Sequence, residues 1–136
     1  MACRDLAKGD HARQRLMRES GGRVPEERLE LMRLDLSSLD SIHRFAREYV
    51  QRHDALHVLV NNAGLLSRVR RLTQDGFESQ FGINHLGHFL LTTLLLDTLE
   101  PATQPLLEPV VEVRHPQRRQ GHRRVISGSS RGDRQR

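Results

Sequence analysis

His57-Val58-Leu59-Val60-Asn61-Asn62-Ala63-Gly64 is the stretch that decides how this chain folds. Four residues are too few for a helix, two of them are β-branched, and the run stops at an Asn/Gly turn. Short continuous apolar runs of this kind suit a strand buried on both faces of a parallel sheet. Upstream, Leu39, Ile42, Phe45, Ala46, Tyr49 and Val50 mark one apolar stripe at helical spacing, with Ser38 or Asp40 placed to cap its free amides. Downstream, a polar loop carrying Arg68, Arg70 and Arg71 leads to Asp75-Gly76-Phe77 and then to a largely apolar stretch ending before Pro101, read as one long, mostly buried helix.

Further towards the N-terminus, Leu29, Leu31, Leu34 and Leu36 nearly alternate with polar residues and read as a strand that feeds the Ser38 cap. Leu6, Ala12, Leu16 and Met17 before Gly21-Gly22 read as a surface helix with a glycine stop. Helix, strand, helix, strand, helix is the rhythm of a doubly wound α/β fold, because parallel neighbours need a crossover between them. The expected fold is a partial Rossmann-like doubly wound parallel sheet that lacks its first strand.

Residues 1–100 form the expected folded α/β unit, and residues 101–136 read as a Pro/Arg-rich, disordered tail. Pro101, Pro105, Pro109 and Pro116 interrupt any helix there, and only Val110-Val111 and Val125-Ile126 are suited to a strand. The net charge of +5 comes from this tail. The folded body is electrically balanced, which argues against a nucleic-acid partner, since phosphate binding needs cations gathered on a folded surface. Cys3 is the lone cysteine, so neither an internal disulfide nor a thiolate zinc cage can form. An intracellular setting is expected, cytoplasmic or associated with the endoplasmic reticulum. The longest greasy stretch, Phe89 to Leu96, is about half of a membrane span.

Four segments then align in order and spacing: Ala2-Cys3-Arg4, Leu34-Asp35-Leu36, Asn61-Asn62-Ala63-Gly64, and Asp75-Gly76-Phe77 through Phe81-Gly82-Ile83-Asn84-His85-Leu86-Gly87-His88-Phe89-Leu90-Leu91-Thr92. Together they resemble the retinol-dehydrogenase-like group of the short-chain dehydrogenases/reductases, over residues 1 to about 99. The resemblance implies an oxidoreductase that moves a hydride between a nicotinamide dinucleotide and a small lipophilic alcohol or carbonyl. It implies that Arg4 recognises the 2′-phosphate of NADP, making NADP preferred with NAD as the alternative. Asp35 would accept a hydrogen bond from the adenine amino group with the Leu36 backbone beside it. Asn62, Ala63 and Gly64 would lie against the adenosine ribose, while Asn61 is read as a structural amide tying neighbouring strands.

Asn84 corresponds to the family's helix asparagine, whose backbone kink extends a proton relay. His85 and His88 are read as packing or surface histidines, and no metal is expected. The helix from 77 to 99 resembles the one the family uses for dimer packing, so a non-catalytic pairing role is the alternative function.

The resemblance also implies a glycine-rich Thr-Gly-x-x-x-Gly-x-Gly turn after a first strand, and a Tyr-x-x-x-Lys pair further on. Gly21-Gly22 follows a helix instead, the single tyrosine Tyr49 has His53 four residues on, and Lys8 is the single lysine. The chain is therefore expected to be an inactive fragment of its parent enzyme. Arg124-Val125-Ile126-Ser127-Gly128-Ser129-Ser130 is similar to the strand that carries the family's substrate-steadying serine, which makes Ser130 a catalytic candidate beside Asn84. An alternative alignment puts Val110 to Val113 on that strand, with Arg114 and His115 following it.

Overall fold

The computed structural model describes residues 1–99 and 110–112. Four short strands and their connecting helices follow in chain order: β1 (Ala2–Cys3), α1 (Leu6–Glu19), β2 (Met32–Arg33), α2 (Leu39–Arg52), β3 (Val58–Val60), α3 (Ser79–Phe81), a π-helical turn over Gly82–Leu86, α4 (Gly87–Leu95) and β4 (Val110–Glu112). β1 pairs in parallel with β2, Ala2 opposite Met32, and β3 pairs in parallel with β4, Val58 opposite Val110. Each parallel pair is joined through helix, as parallel geometry requires. The two pairs form separate two-stranded sheets, and the architecture is Rossmann-like.

Local chemistry sets the helix ends. Asp5 caps α1 by accepting the Lys8 N–H, and Gly21 and Gly22 stop it with φ of 60° and 81°, a region that glycine enters without strain. Ser38 caps α2, its hydroxyl accepting the Ser41 N–H. The Ser38 cap and the Gly21-Gly22 stop read from sequence therefore hold, while the Asp5 cap is added by the structure.

The core forms where α2 meets α4. Ile42, Phe45, Ala46 and Tyr49 of α2 are buried against a cluster that includes Leu91 and Leu95 of α4, Leu34 and Leu36 after β2, and Leu56 before β3. Val50, placed on the same stripe by the sequence, is 47% exposed. It lies at the margin of the apolar face, where Tyr49 already fills the space against the core.

Three expectations change. The alternating run from Leu29 to Leu36 pairs only at Met32 and Arg33, because Leu29 closes a 3₁₀ turn over Glu26–Arg28 and the chain turns into the α2 cap after Leu34. β3 is only partly buried, and its edge opposite β4 has no strand partner among the described residues. The long helix is broken by the π turn, and Phe77, Phe81, Phe89 and Leu96 are exposed. Leu91 and Leu95 alone carry its fully buried contacts, since a helix packed on one side hides only one stripe.

β4 comes from the stretch read as a tail, so residues 110–112 belong to a sheet. The remainder of 101–136, with the expectation of disorder, lies outside the described residues. Among the described residues no helix is long and apolar enough to cross a membrane.

Glu30 anchors the start of β2 to the end of α2. Its carboxylate accepts hydrogen bonds from Arg52 Nη1 at 2.7 Å and meets His53 Nε2 at 2.8 Å. Burial alone would raise the Glu30 carboxyl pKa, but the bonds from Arg52 and His53 more than offset it and hold it below its ordinary 4.5. A carboxyl depressed on folding contributes stability above its unfolded pKa and loses it as pH falls through the folded value. Urea melts of the wild type should therefore weaken as pH drops below about 4.5, and Glu30→Gln should flatten that dependence.

Gly87 sets how closely α4 approaches the β2 turn. A Cβ there would lie 2.8 Å from the Leu36 carbonyl oxygen and 3.1 Å from Leu36 Cβ. Overpacking against backbone costs about 1–3 kcal/mol, more than the roughly 1 kcal/mol that alanine brings to a helix interior. Gly87→Ala should lower the urea midpoint despite its better helix propensity.

Candidate nucleotide-binding site

Strands that run parallel deliver their following loops to one side of a sheet, where α/β proteins gather ligands. Arg4 follows β1, Leu34-Asp35-Leu36-Ser37 follows β2, and Asn61 to Leu65 follows β3. All three loops reach one cleft of about 370 Å³, lined among others by Arg4, Ser37, Leu65, Arg71, Thr73 and Ile83. Of the residues singled out from the sequence, Arg4 lines this cleft, while Asp35, Leu36, Asn62, Ala63, Gly64 and Asn84 lie beside its lining residues in sequence without forming part of it.

Arg4 is exposed at the cleft. Asp35 is held by its own turn: Oδ1 accepts the Ser37 N–H at 2.9 Å and the Ser37 hydroxyl at 2.7 Å. This Asx turn fixes the carboxylate direction. Leu36 is buried and its carbonyl faces Gly87. After β3, Asn62 turns back through its N–H to Val60 O at 3.0 Å, Ala63 is buried, and Gly64 is exposed. A Cβ on Gly64 would find its nearest atom, Asn84 Oδ1, at 3.8 Å, an ordinary contact. Packing within the chain therefore does not demand glycine here.

Asn61 does act structurally, but its amide donates to Thr92 Oγ1 of α4 at 2.9 Å, tying the turn to a helix instead of a neighbouring strand. Asn84 sits inside the π turn, where the Gly87 N–H bonds back to Gly82 O and widens the helix by one residue. Such bulges occur often at functional sites. Its side chain clamps the loop after β3 at both amide atoms: Oδ1 accepts the Leu65 N–H at 2.7 Å and Nδ2 donates to Leu65 O at 2.8 Å.

Tyr49 lies in the α2 core, away from the cleft lining, with its hydroxyl donating to Ala55 O at 3.4 Å and its ring 4.6 Å from that of His53. Burial, and then the charge of Glu30, push its phenol pKa up. A phenol in this setting holds its proton and cannot serve as an acid–base group at the rim. His85 stacks on Phe81, centroids 5.3 Å apart, and His88 is buried, its pKa lowered by burial. Among the described residues no three His, Cys, Asp or Glu side chains gather as metal ligands. Ser130 lies outside the described residues. β4 falls on the alternative strand alignment, and Arg114 and His115 beyond it are also outside.

Two contributors escape a reading of the sequence. Asp75 Oδ2 accepts the Leu39 N–H at 2.9 Å and so caps α2 across 36 positions. Arg71, one of several loop arginines, lines the cleft. No local pattern marks either one, because both act on partners far away in the chain.

Residues 4–105 match the family model for short chain dehydrogenase. Mouse (Mus musculus) retinol dehydrogenase 14 is 46% identical over 74% of this chain and 32% of its own length, and mouse retinol dehydrogenase 13 is 45% identical over 74% and 29%. The chain thus spans about a third of the length of these curated relatives. Among solved structures, the alcohol dehydrogenase from the archaeon Thermococcus sibiricus complexed with 5-hydroxy-NADP superposes with a TM-score of 0.53 at 26% identity, over 71% of this chain and 40% of that one. With this match over most of its length and a Rossmann-like fold, the chain belongs to the short-chain dehydrogenase family.

Proposed function

We propose that this chain is the adenosine-facing part of an NADP-dependent oxidoreductase acting on a small lipophilic alcohol or carbonyl, retinol-like in character. The observation that carries this reading is the convergence of the β1, β2 and β3 loops on one cleft with Arg4 at its edge. The names of the relatives support the substrate class, and the NADP analogue bound to the archaeal alcohol dehydrogenase supports the cofactor. The dinucleotide, when bound, supplies the hydride donor or acceptor. Such chemistry belongs inside the cell, where dinucleotide pools are kept.

The donor set fits the adenosine half. Arg4 offers a guanidinium fork to two oxygens of a 2′-phosphate. Asp35 keeps Oδ2 free of the Ser37 bonds and so presents an acceptor to the adenine amino group, beside the Leu36 backbone. Asn62, Ala63 and Gly64 form a low wall for the ribose, and the glycine that packing does not require leaves space for close approach of a ligand. Asn84 positions that wall through Leu65, and the π turn around it provides the backbone kink from which a proton relay would run.

The chain alone is proposed to be inactive in turnover, since its one tyrosine is held in the α2 core. NADP should bind the purified chain more tightly than NAD. Arg4→Gln should weaken NADP roughly tenfold, the value of one charge-assisted hydrogen bond, and leave NAD unchanged. Titration calorimetry reads both, and equal affinity for the two dinucleotides would defeat the NADP assignment.

A second reading, pairing through the 77–99 helix, is favoured by one observation. Phe81, Phe89 and Leu96 are 53%, 65% and 58% exposed, and no Asp, Glu, Lys or Arg occurs from Ser79 to Leu96. An uncharged, apolar exposed face suits protein contact. Co-sedimentation with the full-length parent enzyme should show a complex that Phe89→Glu dissolves, and independent sedimentation of the two would remove this reading.

A further inference from the structure

The cleft holds a second guanidinium besides Arg4. Arg71 lines it from the loop after β3, whereas its neighbour Arg70 lies near the Glu78 carboxylate. Neither Arg4 nor Arg71 has a carboxylate partner among the described residues. Nearby acids in the sequence and at the loop ends have other partners: Asp5 takes the Lys8 N–H and ammonium, Asp35 the Ser37 N–H and hydroxyl, Asp75 the Leu39 N–H, and Glu78 the N–H groups of Gln80 and Phe81. Two guanidiniums on the lining of one concave site, neither ion-paired among the described residues, make it a place for a compact dianion.

The loop that carries Arg71 is tied at both ends. Leu65 is clamped by Asn84, Gln74 N–H donates to Ser37 O at 3.1 Å, and Leu72 bridges to Glu78. The backbone that positions Arg71 is thereby fixed before any ligand arrives, which lowers the ordering cost of binding. Thr73, also on the lining, adds a hydroxyl whose Oγ1 accepts the Phe77 N–H at 3.1 Å and keeps its own proton for donation.

We infer that Arg71 is a second specificity residue for a ribose-borne phosphate monoester, closing on it from the β3 loop while Arg4 holds it from β1. This rests on the reading that the rim binds a 2′-phosphorylated adenosine, and it adds a recognition group from a different loop. The pairing explains why one of the loop arginines is turned into the cleft while its neighbour sits by an acid. Arg71 is a binding residue and has no part in proton or hydride movement.

Adenosine 2′,5′-bisphosphate and adenosine 5′-monophosphate are the probes, titrated calorimetrically into the full chain and into Arg71→Gln, Arg71→Lys, Arg4→Gln and Arg70→Gln, each checked by circular dichroism. Arg71→Gln should weaken the bisphosphate roughly tenfold and leave the monophosphate unchanged, as loss of one charge-assisted bond predicts. Arg71→Lys should recover only part of the loss, because a point charge lacks the planar fork. Arg70→Gln, which removes the same charge one residue away, should have little effect.

If Arg4→Gln weakens the bisphosphate but Arg71→Gln does not, or if Arg70→Gln matches Arg71→Gln, the inference falls while the NADP reading stands. If the wild type does not prefer the bisphosphate over the monophosphate, both fall. Inorganic phosphate binding as tightly as the bisphosphate would mean a free-anion site and would also overturn it.

Discussion

The contact between α2 and α4 is what everything else in this structure depends on. Among the described residues no ladder joins the two parallel strand pairs, so the helix layer over them is the main hold on their relative position. Ile42, Phe45 and Tyr49 on one side and Leu91 and Leu95 on the other are essentially removed from water. Side chains of this size contribute about 1.5–3 kcal/mol each when fully buried, against strands of only two or three residues. Gly87 lets α4 come close enough to touch the Leu36 backbone, which joins this core to the rim.

Polar ties convert that packing into a site. Asn84 holds Leu65, Gln74 holds Ser37, and Asp75 caps α2 through Leu39. Each spans many positions in the chain and joins a loop from one strand pair to an element of the other or to the helix layer. Hydrogen bonds of this sort contribute only about 0.5–1.5 kcal/mol net, so their importance is directional. They decide which way the loops after β2 and β3 face, and therefore how the Asp35 turn and the Gly64 loop stand relative to one another.

Much of the fold is legible in the order of residues because its causes are local. The Ser38 cap, the Gly21-Gly22 stop and the Ile42–Phe45–Ala46–Tyr49 stripe need only neighbours within a turn or two. The parallel arrangement also follows from the alternation of short apolar runs with helices. Less legible is how far each element extends. Leu29 to Leu36 has the pattern of a longer strand but pairs at two residues, and the 77–99 stretch has enough apolar residues for burial all round but has a partner on one side only.

Sequence by itself determined the Ser38 cap, the apolar stripe of α2, the order of the dinucleotide-binding signatures and thus the family, since each is a property of residue type at short spacing. Tertiary structure decided the rest: the π turn at Asn84, the capping of α2 by Asp75, the exposure of Phe81 and Phe89, and the presence of both Arg4 and Arg71 on the lining of one cleft. These depend on which distant backbone meets which side chain. That meeting is set by how α2 and α4 pack, and no short window of sequence contains both partners.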